Sequence, residues 1–305
     1  MMQDRTKGLV YTFVGTLAFT PDTLLVRLID TDPITMISIR GLLMSVSITL
    51  CLFLFFRPHI KGYLRQFRVF DLIFAIIFAV TMFFFVFALS TTSVANVLVF
   101  ISTAPVFAAL IAHFALNEQL SIQTSAAIAV SMFGIGVVAW GEARHDVVTN
   151  ASAFSWEPLV GCFCALATAV LIGTNMVVRK KSVMDNSMPA LVLGGLFSGL
   201  AALPFANYLS LDGGQFGYSL LLGLIVMPIA CTCTFIGPRY LPAAEVSMIS
   251  LLEVVIAPVW IWLVISEVPS STTIYGGVIV IVSVLLYTTL VTKENRPEVF
   301  AAREA

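Results

Sequence analysis

Ten apolar stretches follow one another with only short polar links between them, at residues 8–28, 33–56, 69–89, 93–116, 121–141, 157–178, 189–209, 218–237, 241–264 and 273–292. A hydrocarbon core of about 30 Å is crossed by about 20 apolar residues in a helix, so each stretch has the length of a membrane span. Lipid offers a backbone no hydrogen-bond partners, which makes helices the expected form for all ten. Charged residues are 11% of the 305 and apolar ones 59%, a balance that excludes an ordinary soluble domain. The expected fold is all-α: one transmembrane domain of ten helices, with residues 293–305 as a tail.

Orientation follows from lysine and arginine. With the N-terminus inside, thirteen of the sixteen basic residues fall in inner segments and only Arg27 and Arg144 in outer ones. Both termini are therefore expected in the cytoplasm. The remaining one, Arg40, lies within the second stretch. The first stretch has no small-x-small cleavage pattern and is expected to be a retained span. A net charge of −1 without a long basic run gives no case for a nucleic-acid partner. Cys51, Cys162, Cys164, Cys231 and Cys233 all fall in apolar stretches, and C-x-C residues point apart on a helix, so neither a metal site nor another cofactor is expected.

The chain is duplicated. Residues 88–121 lie over 237–270 at a constant offset of 149, which sets Ala95 on Ala244, Asn96 on Glu245, Ala108 on Ala257, Glu118 on Glu267 and Ser121 on Ser270. Five spans per copy is an odd number, so the second copy enters the membrane from the other side. Inverted repeats of this kind, about 8–141 and 157–292, build secondary transporters. A weaker match at offset 152 sets Arg27 on Arg179 and Pro21-Asp22 on Gly173-Thr174. Both copies are thus expected to interrupt their first helix, a pointer to a binding site between the repeats.

The stretch "TSVANVLVFISTAPVFAALIAHFALNEQLS" and its partner "PAAEVSMISLLEVVIAPVWIWLVISE" resemble the EamA-type members of the drug/metabolite transporter superfamily. Arg40 in "ISIRGLLMS" is similar to an arginine often found in the second helix of that family. The resemblance implies ten helices in two five-helix copies, a multi-pass protein of the plasma (bacterial inner) membrane, and export or import of a small metabolite. This sequence departs from the pattern at Leu252-Glu253-Val254, where a proline commonly follows the acid, and it lacks a tryptophan-glycine start in the first helix.

Ionisable side chains at bilayer depth cost about 2.5–3.5 kcal/mol on insertion scales and mark function by default. Four stand out: Asp22, Arg40, Glu245 and Glu253. Asp22 and Arg40 lie at similar depth on neighbouring helices and are expected to pair, either to pin those helices or to serve the substrate or a gate. Glu253 is near the middle of its helix with no cation beside it. Ser247, Ser250 and Glu253 share an arc of about 120°, which Glu245 widens to about 200°, one polar face on an apolar helix. That face suits a cavity wall, with Glu253 carrying a coupling proton or meeting an amine. Asn96 and Glu245 are the gate candidates, and Thr20, Thr81, Asn175 and Ser250 the polar contacts. Trp140, Trp260 and Trp262 are read as an aromatic belt.

The expected function is secondary transport, in the direction of export, of a small amine-bearing or zwitterionic solute such as an amino acid. A non-transporting sensor or scaffold is the second reading. An intramembrane enzyme is disfavoured because His59, His113 and His145 fall in different segments.

Overall fold

The computed structural model describes residues 2–55, 57–116, 122–149, 156–181, 188–208, 211–236, 240 and 243–286. The first copy runs through α1 (Met2–Phe19), α2 (Asp22–Ile29), α3 (Pro33–Phe55), the short α4 (Ile60–Gln66), α5 (Val69–Thr91), α6 (Val94–Ile101), α7 (Ala104–Leu116) and α8 (Ile122–Thr149). The second runs through α9 (Glu157–Lys181), α10 (Met188–Ala202), α11 (Gly213–Leu220), a π turn at Leu221–Val226, α12 (Met227–Ile236), α13 (Ala243–Ile265) and α14 (Ser271–Leu286). Among the described residues seven helical segments are long and apolar enough to cross a membrane, and Ser125–Gly141, Leu252–Ile265 and Ser271–Leu286 are shorter apolar helices.

Prolines govern the breaks. Pro21 has no N–H for the Leu17 carbonyl, and Thr20 takes that carbonyl instead with both its N–H (3.3 Å) and its hydroxyl (2.8 Å). Helix α1 stops there and α2 begins at Asp22. Pro105 stands in the first turn of α7, and the chain turns at Ser102–Thr103, whose hydroxyls bond back to Val99 and Phe100. Pro228 follows the π turn, in which the Met227 N–H reaches five residues back to Leu222. The eighth span also starts earlier than its apolar run, because Asp212 and Gln215 cap α11 reciprocally at 2.7 and 3.0 Å.

The expected interruption at Gly173-Thr174 is absent: α9 is continuous from Glu157 to Lys181. Thr174 gives its hydroxyl to the Val170 carbonyl. Gly173 is there for packing, since a Cβ on it would stand 2.8 Å from the Ala108 nitrogen and 2.9 Å from the Ala104 oxygen of α7. A glycine in lipid marks close approach as readily as a break.

The copies meet through antiparallel pairs. In α8 and α14, Ser131 bonds Ser283 at 3.2 Å, and Ser283 donates to the Ala127 carbonyl. Shifting each partner by 149 residues turns these contacts into Gly134 with Val280 and Gly134 with Gly276, both of which are also present. A contact set that maps onto itself in this way has a two-fold axis between the helices, and the mates run in opposite directions as inverted copies require. The α3–α10 pair is built on glycine: Ser38 donates to Gly199 and Ser45 to Val192, while a Cβ on Gly41 would stand 2.6 Å from the Gly195 oxygen. The first span of each copy packs on the third span of the other, α1 on α12 and α9 on α5.

Gly41→Val is expected to lower stability by about 2–3 kcal/mol through overpacking, whereas Gly136→Val, with open space around it, stays within about 0.5 kcal/mol; thermal unfolding in detergent measures both.

Candidate functional site

The Pro21 break delivers Asp22 to the first turn of α2, where its carboxylate faces α3. Arg40 meets it through both ends of the guanidinium, Nη1 to Oδ1 at 2.6 Å and Nη2 to Oδ2 at 2.9 Å. Both residues are buried, 2% and 4% exposed. This planar, bidentate grip is the strongest form of ion pair a side chain makes. The face of the guanidinium lies 5.0 Å from the ring centre of Phe85 on α5. One turn earlier on the same helix, Thr81 bonds back to Ile77.

Two further groups lie within electrostatic reach of the pair: Cys231 of α12, which is buried, and Glu253 of α13, which is half-buried. Pro258, one turn beyond Glu253, has no N–H to give the Val254 carbonyl, so the helix carries a weakened rung beside the acid. Ser250 spends its hydroxyl on Val246. Thr20 accepts from Trp260 Nε1 at 3.2 Å, which ties α13 to the Pro21 break. Trp260 therefore has an inward partner, although it was expected in an aromatic belt.

At the end of the bundle that bears Arg27, three segments are tied together. Arg27 donates to the Thr92 carbonyl at 2.8 Å and pairs with Glu267 at 3.7 Å, and Glu267 accepts from the Val94 N–H. Asn96 is fully buried just behind them, with its Oδ1 accepting from Thr273 of α14 and its Nδ2 donating to Thr92. Its proposed mate Glu245 lies outside the described side chains, as does Glu118. Asn175, on α9, is buried with Oδ1 unbonded. A cleft of about 500 Å³ lined by Ile39, Leu43, Tyr208 and Phe216 and a smaller one of about 160 Å³ beside Thr174 open elsewhere, and neither contains Asp22, Arg40 or Glu253.

Of the residues singled out in the sequence, Asp22, Arg40, Glu253 and Thr20 come together around the first-helix break. Phe85 and Cys231 were not foreseen. The run "MFFFVFAL" offers a phenylalanine to every side of α5, and only the position of Arg40 selects one of them.

A two-copy bundle of apolar helices with a buried ion pair between its first two spans fits a multi-pass integral membrane protein of the transporter type. The chain belongs to the EamA-like transporter family, whose model matches residues 6–140 and 159–289, once on each copy. A solved structure described only as a crystal structure of a protein is similar in fold, with a TM-score of 0.62 at 16% identity over 94% of this chain and 98% of the other.

Removing one partner of a buried ion pair strands the other. Asp22→Asn and Arg40→Met are each expected to cost about 3–5 kcal/mol, and the double variant markedly less than their sum, read as thermal shifts in a double-mutant cycle.

Proposed function

We propose that this protein is a secondary active transporter that exports a small amine-bearing or zwitterionic solute, of the amino-acid class, across the plasma membrane by alternating access between its two copies, both termini being cytoplasmic. The observation that carries this reading is a charge balance. Asp22 grips Arg40 through both oxygens, so the guanidinium is already neutralised and Glu253 is the unbalanced charge of the group. A carboxylate in a low-dielectric interior needs a positive partner. A proton or a substrate ammonium meets that need, and the two exclude each other.

That exclusion is a coupling mechanism. Solute binds where Glu253 is ionised and leaves where the proton replaces it, so a proton entering on one side drives an amine out on the other. Membership of a transporter family and the two-copy architecture support the alternation of sides.

Glu253→Gln in proteoliposomes is expected to reduce movement of radiolabelled amino acids driven by a pH gradient by about tenfold or more. Unchanged transport with unchanged pH dependence would remove Glu253 from the mechanism. Loss of transport in a folded Asp22→Asn protein, with Glu253→Gln harmless, would reverse the order of the two acids.

A further inference from the structure

Helices α3 and α11 start at the same end of the bundle, the end that bears Arg27, for Gln215 of α11 donates to the Asp30 carbonyl just before α3. Ten residues into each they touch: Gly223 meets Leu43 so closely that a Cβ would have no room. At their starts they stand apart, since a Cβ on Gly213 would find nothing within 4 Å. The wedge between them is the cleft of about 500 Å³. At a rise of about 1.5 Å per residue it is about 15 Å deep, half of a hydrocarbon core of about 30 Å, which is the depth of one leaflet.

A third wall comes from the link after α10. The Asn207 N–H donates to the Thr35 hydroxyl, and the Tyr208 hydroxyl donates to Ser38, which gives its own proton to the Gly199 carbonyl. Ile39, Leu42, Leu43, Leu203 and Phe216 line the wedge, and Leu203 and Phe216 are exposed. Apolar walls without neighbours forfeit their dispersion contacts, and water gains no hydrogen bonds against them. At this depth of a bilayer the matter at hand is the hydrocarbon tail of a lipid. The mouth adds charge of one sign: Asp30, Asp32 and Asp212 are exposed there, and among the described residues none has a lysine or arginine partner, Arg27 being held by Glu267. An apolar cleft under an acidic rim is complementary to a molecule with a hydrocarbon tail and a cationic head.

We propose that the wedge between α3 and α11 is a lipid site, which holds an acyl chain of a phospholipid whose headgroup ammonium meets Asp30, Asp32 and Asp212. The floor at Gly223 and Leu43 stops the chain at about mid-membrane, and the rim fixes its head at the surface. The site is separate from Asp22, Arg40 and Glu253 and does not depend on what the protein transports.

Native mass spectrometry of the purified, delipidated protein tests this, with dioleoyl phosphatidylethanolamine and dioleoyl phosphatidylglycerol, which have identical tails, as probes. One ethanolamine lipid is expected to bind at least about fivefold more tightly than the glycerol lipid. Asp32 and Asp212 also cap Thr35 and Gln215, and asparagine caps as well as aspartate does. The triple variant Asp30→Asn, Asp32→Asn, Asp212→Asn therefore keeps the caps and is expected to bind the two lipids alike. Gly213→Leu fills the wedge and is expected to lose the bound lipid, whereas Gly217→Leu, with equally open surroundings but outside the lining, keeps it. Retention of the ethanolamine lipid by Gly213→Leu, or its loss from both leucine variants, overturns the site. Equal binding of the two lipids by the unsubstituted protein overturns the assignment of the headgroup.

Discussion

The buried pair of Asp22 and Arg40 is the contact to which the rest of the centre is fitted. A lone charge at this depth would be expelled or neutralised, and a bidentate partner makes both residents of the bundle. For the pair to form, α1 must end at Phe19, within the first span, which Pro21 enforces, and the orphaned Leu17 carbonyl must be met, which Thr20 does twice over. Thr20 then has a lone pair left for Trp260, which brings α13 alongside and with it Glu253. One proline thus sets the position of three charged groups.

Much of this was legible in the sequence. Apolar runs of span length, the odd number of spans per copy and the offset of 149 give the bundle, its duplication and the opposed directions of α8 and α14. Asp22 and Arg40 could be paired on depth alone. Breaks were harder, because proline and glycine look alike in a hydropathy trace but act differently. Pro21 removes a donor and ends a helix; Gly173 only removes a side chain and lets α7 come close. The turn before Pro105 and the π turn before Pro228 escaped notice for the converse reason, since each lies inside an unbroken apolar run. Phe85 and Cys231 could not be read at all, because selecting one face of an all-apolar helix requires knowing its neighbours.

The two copies share a path but not their chemistry. At the offset of 149 Glu253 falls on Ala104 and Val254 on Pro105. The first copy spends that level on a chain break, whereas the second keeps α13 whole and places an acid there. At the offset of 152 Asp22 falls on Thr174, a residue bonded to its own helix. Symmetry of the backbone with asymmetry of charge gives a bundle two similar shapes and a single polar locus shared by both.

The α3–α10 seam adds a mechanical property. Gly41, Gly195 and Gly199 bring the backbones near and leave room into which Leu42, Met44, Ser45 and Ser198 reach from the facing helix. Helices joined by branched knobs on both sides must unlock many rotamers before they shift; a seam whose holes are glycines has fewer to unlock. The seam can therefore work as a low-friction bearing, with Ser38 and Ser45 trading one carbonyl for the next as the helices slide. Its stiffness across the contact and its ease along it would confine relative motion of the copies to a single direction.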